Sequence, residues 1–561
     1  MARFGYIPWF MQEPRQMTTG TITSRKLISG RSVRWDDARA AKAYADGAWI
    51  RETLADSLRR IVQIDPRRLL LIDGAQRIDA QALSARSEAL AQVLLSRYPE
   101  GSVASFMLPN WHEAAVIYMA ATLAGMVVNP ILPSLREREL AFILGDLRTR
   151  VVFIPASFRQ HDYAAMLSRV CADLPDPPEV VVLRGPAANH QSYDDLFDDQ
   201  VDPRRLPAVD ADAVRMILYT SGTTGGAKGV LHTHNTLHAL IQQIGAHWLV
   251  EPGDKFLIPS PIGHVGGSIY AFECPLLLGT TAVLMDQWNA ADAIRLLEHE
   301  GCTHVAGATP FLLQLLTAAE AAATRLPSLK LFVCGGASVP PSLIRAAAAY
   351  FERAVVTRVY GSTEVPVTTV GATRRSEAEL AAATDGRPGL ADVKLVNADG
   401  ECQDSGEILA RGPQMLVGYV HAEDETDSFD ADGYFRSGDL GRWVDEGYLV
   451  VTGRAKDLII RNGENISPKE IEDLLIAHPN VGEVAVVGLP DSRTGERACA
   501  VIVIKNSSAP TVDELRVFLR DLGLATFKCP EQVAYWDELP KSAAGKVLKQ
   551  QIRAAFSAGS K

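Results

Sequence analysis

The sequence lacks the patterns that mark several large classes of protein. Only seven cysteines occur in 561 residues, and no two of them are spaced as Cys-x-x-Cys. A disulfide framework or a cysteine zinc site is therefore not expected, and the thiols indicate a reducing compartment. An excess of basic charge is also missing, because the formal net charge is −11, which argues against a broad nucleic-acid surface. We predict a cytoplasmic protein without a nucleic-acid partner.

Long apolar runs are absent as well. The most apolar stretch, residues 114–128, is shorter than a membrane span and is followed by an Asn-Pro pair, which predicts a buried helix that leads into a strand. Residues 1–15 lack a basic region followed by an apolar run, so no secretory signal is expected. We expect residues 1–30 to form a loosely ordered leader, in which Met17 is an alternative start. Peripheral membrane contact and a homodimer both remain open.

The sequence does contain a long succession of short apolar strands and amphipathic helices, which predicts an α/β fold. The chain is longer than one core usually allows, and this alternation is typical of layered, mostly parallel sheets. From residue 391, short strands and Asp-Gly or Glu-Gly turns indicate a β-rich subdomain. After residue 455 the pattern is that of a compact α+β unit. We predict a large N-terminal domain at 31–455 and a small C-terminal domain at 456–561.

The stretch 220–229 is the clearest functional motif. A short apolar strand, residues 216–219, leads into Thr-Ser-Gly-Thr-Thr-Gly-Gly-Ala-Lys-Gly. Glycines let backbone N–H groups approach an anion closely, while the hydroxyls and the lysine add donors and charge. The loop is not a Walker A loop, because Lys228 is preceded by Ala227 and followed by Gly229. It predicts a polyphosphate site with these ligands: Thr220, Ser221, Gly222, Thr223, Thr224, Gly225 and Lys228.

This loop and the motifs that follow it resemble the signature of the acyl-adenylate-forming superfamily. That group includes acyl-CoA synthetases, aryl-CoA ligases, luciferases and the adenylation domains of nonribosomal synthetases. The resemblance covers nearly the whole chain after the leader, and the motifs occur in the family's order. One departure is Ala227, where most members have proline. It removes no donor or charge, so we expect a slightly less stiff loop and unchanged chemistry.

The resemblance assigns two further motifs to the nucleotide and its metal ion. Each motif follows a predicted strand; the residues are Gly335, Gly336 and Ala337, and then Tyr360, Gly361, Ser362, Thr363 and Glu364. By resemblance, Tyr360 lies against adenine, Thr363 lies near phosphate, and Glu364 with Thr224 binds Mg²⁺. A carboxylate, a hydroxyl and phosphate oxygens form a reasonable ligand set for this hard cation.

Motifs nearer the C-terminus resemble the family's ribose site and hinge. Asp439, at the end of Tyr-Phe-Arg-Ser-Gly-Asp, would accept hydrogen bonds from the ribose hydroxyls, and Arg454 would contact ribose or phosphate. Lys456 occupies the pivot position, which implies a mobile C-terminal domain. After rotation about this pivot, the loop at Gly463 would reach the acyl carbonyl for attack by a thiol.

Two residues are assigned to the reacting groups. His264, in Pro-Ser-Pro-Ile-Gly-His, would lie beside the carboxylate pocket, which we expect near residues 264–268 and 307–310. Lys541 and Lys546 are both candidates for the C-terminal catalytic lysine, and the register of the motif selects Lys546. Together with Thr224 and Glu364 these residues form the predicted catalytic set.

We therefore predict an acyl-CoA synthetase. It would use ATP and Mg²⁺ to convert a carboxylic acid into an acyl-adenylate, and would then transfer the acyl group to CoA with release of AMP. Similarity to the cyclohexanecarboxylate- and aryl-acid-activating branch favours a medium-chain, cyclic or aromatic acid.

Three alternatives are weighed against this prediction. An enzyme that loads the thiol of a carrier protein would share every motif. A regulator that binds nucleotide without catalysis is disfavoured, because the acidic and basic site residues are retained. Zinc binding by His232, His234 and His238 is disfavoured, because the spacing offers no clear third ligand.

Overall fold

A computed structural model describes residues 24–197, 202–221, 227–336, 339–462, 464–506, 508–541 and 546–558. Among these residues, none of the helices has the length and apolar character that crossing a membrane requires.

Helices and strands alternate along most of the chain, as the sequence predicts. The helices are α1 Asp37–Ala45, α2 Leu54–Ile64, α3 Ala80–Arg97, α4 His112–Leu123, α5 Glu137–Asp146, α6 Tyr163–Asp173, α7 His234–His247, α8 Val265–Ser268, α9 Cys274–Leu277, α10 Ala290–Glu300, α11 Thr309–Ala321, α12 Pro341–Tyr350, α13 Ala378–Ala383, α14 Pro468–Leu475, α15 Val512–Asp521 and α16 Lys549–Ala558. The strands are β1 Ser24–Ile28, β2 Arg31–Trp35, β3 Leu69–Asp73, β4 Gln76–Asp79, β5 Val103–Phe106, β6 Val127–Pro130, β7 Val151–Pro155, β8 Ser157–Phe158, β9 His161–Asp162, β10 Glu179–Leu183, β11 Gln191–Ser192, β12 Val214–Ser221, β13 Ala227–Thr233, β14 Lys255–Ile258, β15 Thr281–Leu284, β16 His304–Gly307, β17 Leu331–Cys334, β18 Val355–Arg358, β19 Asp392–Val396, β20 Ser405–Arg411, β21 Phe435–Val444, β22 Tyr448–Arg454, β23 Ile459–Arg461, β24 Glu464–Ile466, β25 Val481–Asp491, β26 Gly495–Ile504 and β27 Gln532–Tyr535.

Two seven-stranded sheets form the larger part of the chain. The first has the order β11-β10-β7-β5-β6-β12-β13, and the second has the order β18-β17-β16-β14-β15-β3-β4. Only β12–β13 and β3–β4 are antiparallel pairs within these two described sheets. Strands of such sheets are buried on both faces; β5 and β17, for example, are buried along their whole length. The predicted α/β class is confirmed.

The most apolar stretch of the sequence forms the buried helix and strand that were predicted. All residues of α4 from Ala114 to Leu123 are buried, and β6 follows at Val127. The helix lies at the centre of the main hydrophobic cluster, between the two large sheets. Its apolar composition therefore reflects the core of a large domain.

A four-stranded antiparallel sheet, β19-β20-β21-β22, forms the predicted β-rich part. The predicted turns contain Gly400, Gly433 and Gly447, whose φ angles are +83°, +79° and +75°. Glycine adopts this left-handed conformation without the steric penalty of a side chain. Strand β21 was not predicted, because its polar, glycine-containing sequence has little β character.

The N-terminal segment differs from the loosely ordered leader that we expected. Residues 24–30 belong to an antiparallel hairpin of β1 and β2, and residues 1–23, including Met17, lie outside the described residues. Val33 in β2 is fully buried, and the backbone N–H of Arg34 donates to the carbonyl of Val417 at 2.7 Å. These long-range contacts order a segment whose own sequence gives little indication of structure.

The C-terminal unit has its own sheet and its own core. Strands are ordered β24-β23-β26-β25, and β27 pairs with β26. Helices α14 and α15 pack on this sheet through buried residues such as Ile471, Val486 and Leu515. The predicted boundary at 455/456 falls between the end of β22 and the start of β23; as a domain boundary it remains a prediction.

A buried ion pair joins the strand that leads to the phosphate loop to the helical segment after His264. Arg215 in β12 pairs with Glu273, the last residue of a π-helix at Ile269–Glu273, and both side chains are almost fully buried. The hydroxyl of Tyr118 also donates to Glu273. Charges this deeply buried are tolerated only when they are paired.

Replacement of Glu273 by glutamine should therefore destabilise the protein strongly. The change leaves the charge of Arg215 buried without its counterion, so we expect a loss of about 3 kcal/mol in the free energy of unfolding. Glu379→Gln, which removes the partner of the exposed Arg345, is the control and should leave the unfolding midpoint unchanged. Equal urea midpoints for Glu273→Gln and the wild type would contradict the role of the pair.

Candidate active site

The described ends of the phosphate-loop motif belong to two neighbouring strands of the first large sheet. Strands β12 and β13 are antiparallel, and their register places Thr220 opposite Lys228 and Ser221 opposite Ala227. A Walker A loop instead joins a strand to a helix, so the structure agrees with the non-Walker spacing of the sequence. The predicted ligands between the two strands lie outside the described residues: Gly222, Thr223, Thr224 and Gly225.

Lys228 has partners that the sequence analysis did not anticipate. Its Nζ donates to the carbonyl of Asp424 at 3.1 Å and lies 3.6 Å from the carboxylate of the same residue. The ammonium also lies 5.2 Å from the ring centroid of Tyr419. These residues belong to a segment about 190 positions away, so no local pattern could have revealed the contact.

The first predicted adenine motif follows β17 in the second large sheet. A Cβ on Gly335 would lie 3.0 Å from Cγ2 of Val359, and Gly336 has a φ angle of +82°. Both positions therefore favour glycine, the first because of close packing and the second because of its backbone conformation. Ala337 lies outside the described residues.

The second nucleotide motif follows β18, the parallel neighbour of β17. The carboxyl ends of the two strands meet at one edge of the sheet, where α/β proteins commonly bind ligands. A Cβ on Gly361 would lie 2.6 Å from the backbone nitrogen of Val367, so this turn also requires a glycine. The next residue, Ser362, accepts a hydrogen bond from the N–H of Val365 at 3.2 Å.

Asp439 connects the end of the second large sheet to the β-rich sheet, and the site formed by Tyr360, Asp439 and Arg454 is the candidate nucleotide cleft. The hydroxyl of Tyr360 donates to its Oδ2 at 2.9 Å, and Nε of Arg454 lies 2.7 Å from its Oδ1. Asp439 and Arg454 are paired residues of β21 and β22, which fixes their relative position. The carboxylate is buried, and burial together with the charge of Asp439 raises the pKa of Tyr360 far above its usual value. Three residues that the sequence assigned to the nucleotide therefore form one cluster.

Glu364 lies on the same side of the cleft and is half-buried. Its Oε1 accepts a hydrogen bond from the hydroxyl of Tyr419 at 3.2 Å. Among the described residues, the charge of Lys546 also acts on this carboxylate. An available carboxylate oxygen of this kind fits a hard divalent cation.

Lys546 reaches this cleft from the C-terminal unit. The charges of Arg454, Asp439 and Glu364 all act on its ammonium, and burial among these residues is the largest cause that lowers the pKa of Lys546. The side chain nevertheless keeps contact with solvent, so it lies in an open cleft and not in a packed core. The described structure thus brings together the C-terminal lysine, the predicted ribose ligand and the predicted metal ligand.

His264 lies near the same lysine. It immediately precedes α8, and its Nε2 is buried without a hydrogen-bond partner among the described residues. Burial, followed by the positive charge of Lys546, lowers the pKa of the His264 imidazole to about 4. The ring is therefore neutral at pH 7, so that it can approach a carboxylate group as a neutral donor or acceptor.

Two residues, Lys456 and Gly463, were predicted to belong to the hinge, and the structure describes one of them. Lys456 lies in a 3₁₀ turn at Ala455–Asp457, and burial and the nearby Arg454 lower its pKa. Gly463 lies outside the described residues. One hydrogen bond spans the predicted hinge, since the hydroxyl of Ser467 donates to the carbonyl of Thr452 at 2.5 Å. Lys541, the rejected candidate, pairs with Glu483 at 2.6 Å.

The predicted acid-binding segments contain three glycines with different surroundings. A Cβ on Gly267 would lie 2.1 Å from the carbonyl oxygen of Pro261, whereas a Cβ on Gly266 would meet no atom within 4 Å. A Cβ on Gly307 would lie 2.6 Å from the ring of Phe311. Gly267 and Gly307 therefore serve close packing, and Gly266 leaves open space.

The histidines after the phosphate loop have structural roles in the described chain. Both ring nitrogens of His232 are engaged, with the hydroxyl of Thr236 at 3.1 Å and the carbonyl of Thr363 at 2.8 Å. His234 is buried, and burial holds its pKa well below the usual value. The hydrogen bond from His232 to Thr363 connects β13 to the nucleotide motif. Because both ring nitrogens of His232 are engaged, this residue is a poor candidate for a zinc ligand.

Comparison with known proteins decides the family. The model of the AMP-binding enzyme family matches residues 58–420, and that of the AMP-binding enzyme C-terminal domain matches residues 470–546. The chain belongs to the AMP-binding enzyme family. The predicted superfamily is confirmed, and with it the enzymatic, adenylate-forming ligase character of the chain.

Relatives of this AMP-binding enzyme align with it over almost its whole length. It is 32% identical to the medium-chain fatty-acid–CoA ligase of Escherichia coli K12 over 539 residues, which cover 93% of this chain and 94% of that protein. It is 30% identical to the 2,3-dihydroxybenzoate-AMP ligase of Bacillus subtilis 168, over 93% of this chain and 97% of that one. The ATP-bound structure of MatB from Rhodopseudomonas palustris superposes with a TM-score of 0.80 at 27% identity, covering 90% of this chain and 100% of MatB.

The environment of His264 predicts an unusual titration. An NMR titration of the imidazole should have its midpoint near pH 4, whereas a histidine in an unfolded chain titrates near about 6.5. The unfolded chain then binds a proton that the folded protein does not between these values, so His264 lowers stability as the pH falls through this window. Lys546→Ala should raise the midpoint yet leave it below the unfolded value, since burial is the larger cause. A midpoint at or above the unfolded value would contradict this environment.

Proposed function

We propose that this AMP-binding enzyme is an acyl-CoA synthetase. It would convert a carboxylic acid and ATP into an acyl-adenylate and pyrophosphate, and would then transfer the acyl group to CoA with release of AMP. The observation that supports this proposal most is the convergence of Lys546 with Asp439, Arg454 and Glu364 in one cleft.

The first half-reaction needs position and charge more than a covalent catalyst. A carboxylate is a weak electrophile, and attack of its oxygen on the α-phosphate of ATP replaces pyrophosphate with the acid. A lysine about 4 Å from a phosphate oxygen gains roughly 1 kcal/mol in water, but about 4 kcal/mol at the effective dielectric near protein. Lys546 would therefore be most effective when bound substrates exclude water from around its ammonium.

The remaining predicted residues fit a nucleotide in this cleft. Asp439 would accept the ribose hydroxyls, Tyr360 would pack against adenine, and the β12–β13 hairpin would bind the phosphates with Thr220 and Lys228. Mg²⁺, when bound, would neutralise phosphate charge, and Glu364 and Thr224 would hold it. The hydrogen bond from Tyr419, which orients the Glu364 carboxylate, supports that assignment.

The second half-reaction requires a rearrangement. Lys546 occupies the cleft in the described structure, so access for a thiol would require the C-terminal unit to move. We place the pivot at Lys456, in the short turn between β22 and β23. Rotation there would break the hydrogen bond from Ser467 to Thr452 and would bring the Gly463 loop towards the acyl group.

The substrate is most consistent with a medium-chain, cyclic or aromatic acid. One extensive relative is named for a medium-chain fatty acid and another for an aromatic acid. The segments at 264–268 and 307–310 would form the acid-binding pocket. The open space at Gly266 would leave room for the acyl chain beside His264.

A panel of acids tests the reaction as a whole. With ATP, Mg²⁺ and CoA present, we expect release of AMP and pyrophosphate that depends on a medium-chain, cyclic or aromatic acid, together with acyl-CoA. The second candidate function, loading of a carrier-protein thiol, is favoured by relatives named as AMP ligases. Acid-dependent exchange of pyrophosphate into ATP, without acyl-CoA formation, would support that function instead.

Two lysines of the C-terminal motif provide a matched pair of variants. Lys546→Ala should lower adenylate formation by at least about 100-fold, because removal of one charged transition-state donor commonly has an effect of this size. The same variant should retain thioester formation from supplied acyl-AMP. Lys541→Ala, which removes only the pair with Glu483, should retain both half-reactions. Equal losses of both half-reactions in Lys546→Ala would contradict the division of roles.

A further inference from the structure

A short segment beside the phosphate-loop hairpin carries contacts that none of the predicted motifs includes. Tyr419 forms an antiparallel bridge with Val230 of β13, and the N–H of Val420 donates to the carbonyl of Gly229 at 2.8 Å. A Cβ on Gly229 would lie 2.6 Å from Cγ2 of Val420, so the Val420 side chain packs directly on this glycine. A 3₁₀ turn at Ala422–Glu425 follows. The segment thus lies against the strand that contains Lys228.

Tyr419 contacts both Lys228 and Glu364. The Lys228 ammonium lies 5.2 Å from the centre of the Tyr419 ring, a distance at which a cation and an aromatic face attract each other. The hydroxyl of Tyr419 donates to Oε1 of Glu364 at 3.2 Å. One side chain therefore connects the phosphate-loop lysine with the carboxylate assigned to the metal ion.

Tyr419 suits this position because it is a neutral donor. A hydroxyl that donates to one carboxylate oxygen orients the group and leaves its negative charge in place, whereas a lysine or arginine would neutralise that charge. The ordinary pKa of a tyrosine hydroxyl is about 10. The hydroxyl therefore keeps its proton at neutral pH.

The backbone of Tyr419 is held by an ion pair with the N-terminal hairpin. Glu425 Oε1 accepts from the N–H of Tyr419 at 3.0 Å and from Nη1 of Arg25 at 2.5 Å. Arg25 also donates to the carbonyl of Tyr419 at 3.1 Å. Both charged side chains are largely shielded from solvent, with exposed fractions of 22% and 10%. Arg25 precedes residue 58, where the family match begins.

We propose that Tyr419 is a positioning residue that keeps Lys228 and Glu364 in register for magnesium-bound ATP, and that the Arg25–Glu425 pair fixes its backbone. This inference rests on the proposed function, because it assigns a partner residue to the same phosphate and metal site. It also gives the N-terminal hairpin a role in the nucleotide site, although β1 lies outside the family match.

The test compares Tyr419→Phe with Tyr434→Phe. Tyr434 donates its hydroxyl to Asp392 in the β-rich sheet, so its variant controls for the loss of a tyrosine hydroxyl elsewhere. Binding of Mn²⁺ in the presence of ATP is measured by electron paramagnetic resonance. We expect Tyr419→Phe to weaken Mn²⁺ binding about three- to tenfold, the effect of one lost ordinary hydrogen bond, because the hydroxyl acts on the ion only through Glu364. Tyr434→Phe should leave Mn²⁺ binding unchanged.

A kinetic readout separates positioning from general damage to the fold. In Tyr419→Phe, pyrophosphate–ATP exchange should need more Mg²⁺ for half-maximal rate, and saturating Mg²⁺ should restore the rate. The KM for the acid and the thermal midpoint should stay at wild-type values. Unchanged Mn²⁺ affinity, or a rate that excess Mg²⁺ does not restore, would overturn the assignment of Tyr419.

Arg25→Met tests the anchor, and Arg31→Met is its control in the same hairpin, since Arg31 donates to the carbonyl of Gly101. Only Arg25→Met should weaken Mn²⁺ binding; equal effects of the two variants would overturn the anchoring role. The metal-binding measurement needs no acid substrate. A wild type that binds Mn²⁺ with ATP but shows no acid-dependent exchange would therefore reject the proposed function without deciding the role of Tyr419.

Discussion

The carboxylate of Asp439 is the point at which the parts of the cleft meet. It accepts from Tyr360, which follows the second large sheet, and it pairs with Arg454 in the β-rich sheet. Its charge also acts on Lys546 of the C-terminal unit. A buried carboxylate needs such partners, because an unpaired charge in a low-dielectric site is strongly unfavourable. The charge of Asp439 is thus balanced by groups from the second large sheet, the β-rich sheet and the C-terminal unit. These three parts of the chain meet at one position, where a nucleotide can bind.

Close backbone packing provides the second constraint on the site. Gly335 after β17, Gly361 after β18 and Gly229 in β13 lie where a Cβ would approach neighbouring atoms at 3.0 Å or less. These positions keep the ends of parallel strands and the phosphate-loop hairpin near one another. Charged groups are then placed on a rigid frame, so catalysis can depend on preorganised charge more than on movement of individual side chains.

Local pattern was sufficient for much of this architecture. Apolar runs predicted the α/β class, the buried helix α4 and the strand that follows it, and strand β12. By resemblance, the ordered motifs predicted Tyr360, Asp439 and Lys546 as members of one site. Contacts between distant segments were not predictable, because no spacing rule connects Tyr419 with Glu364 or Arg215 with Glu273. Strand β21 and the N-terminal hairpin were missed for a related reason: their order depends on neighbours more than on intrinsic propensity.

A double-mutant cycle with ATP and 3′-deoxy-ATP tests the role of Asp439 most directly. The wild type and Asp439→Asn are compared by acid-dependent pyrophosphate–ATP exchange. If Asp439 binds the ribose hydroxyls, the wild type should use 3′-deoxy-ATP with a kcat/KM at least about tenfold lower than that for ATP. This is the effect of one lost hydrogen bond to a charged group. In Asp439→Asn, removal of the 3′-hydroxyl should have little further effect, so the substitution and the removal of the hydroxyl are not additive. Equal penalties for 3′-deoxy-ATP in both proteins would contradict the assignment of Asp439 as the ribose ligand.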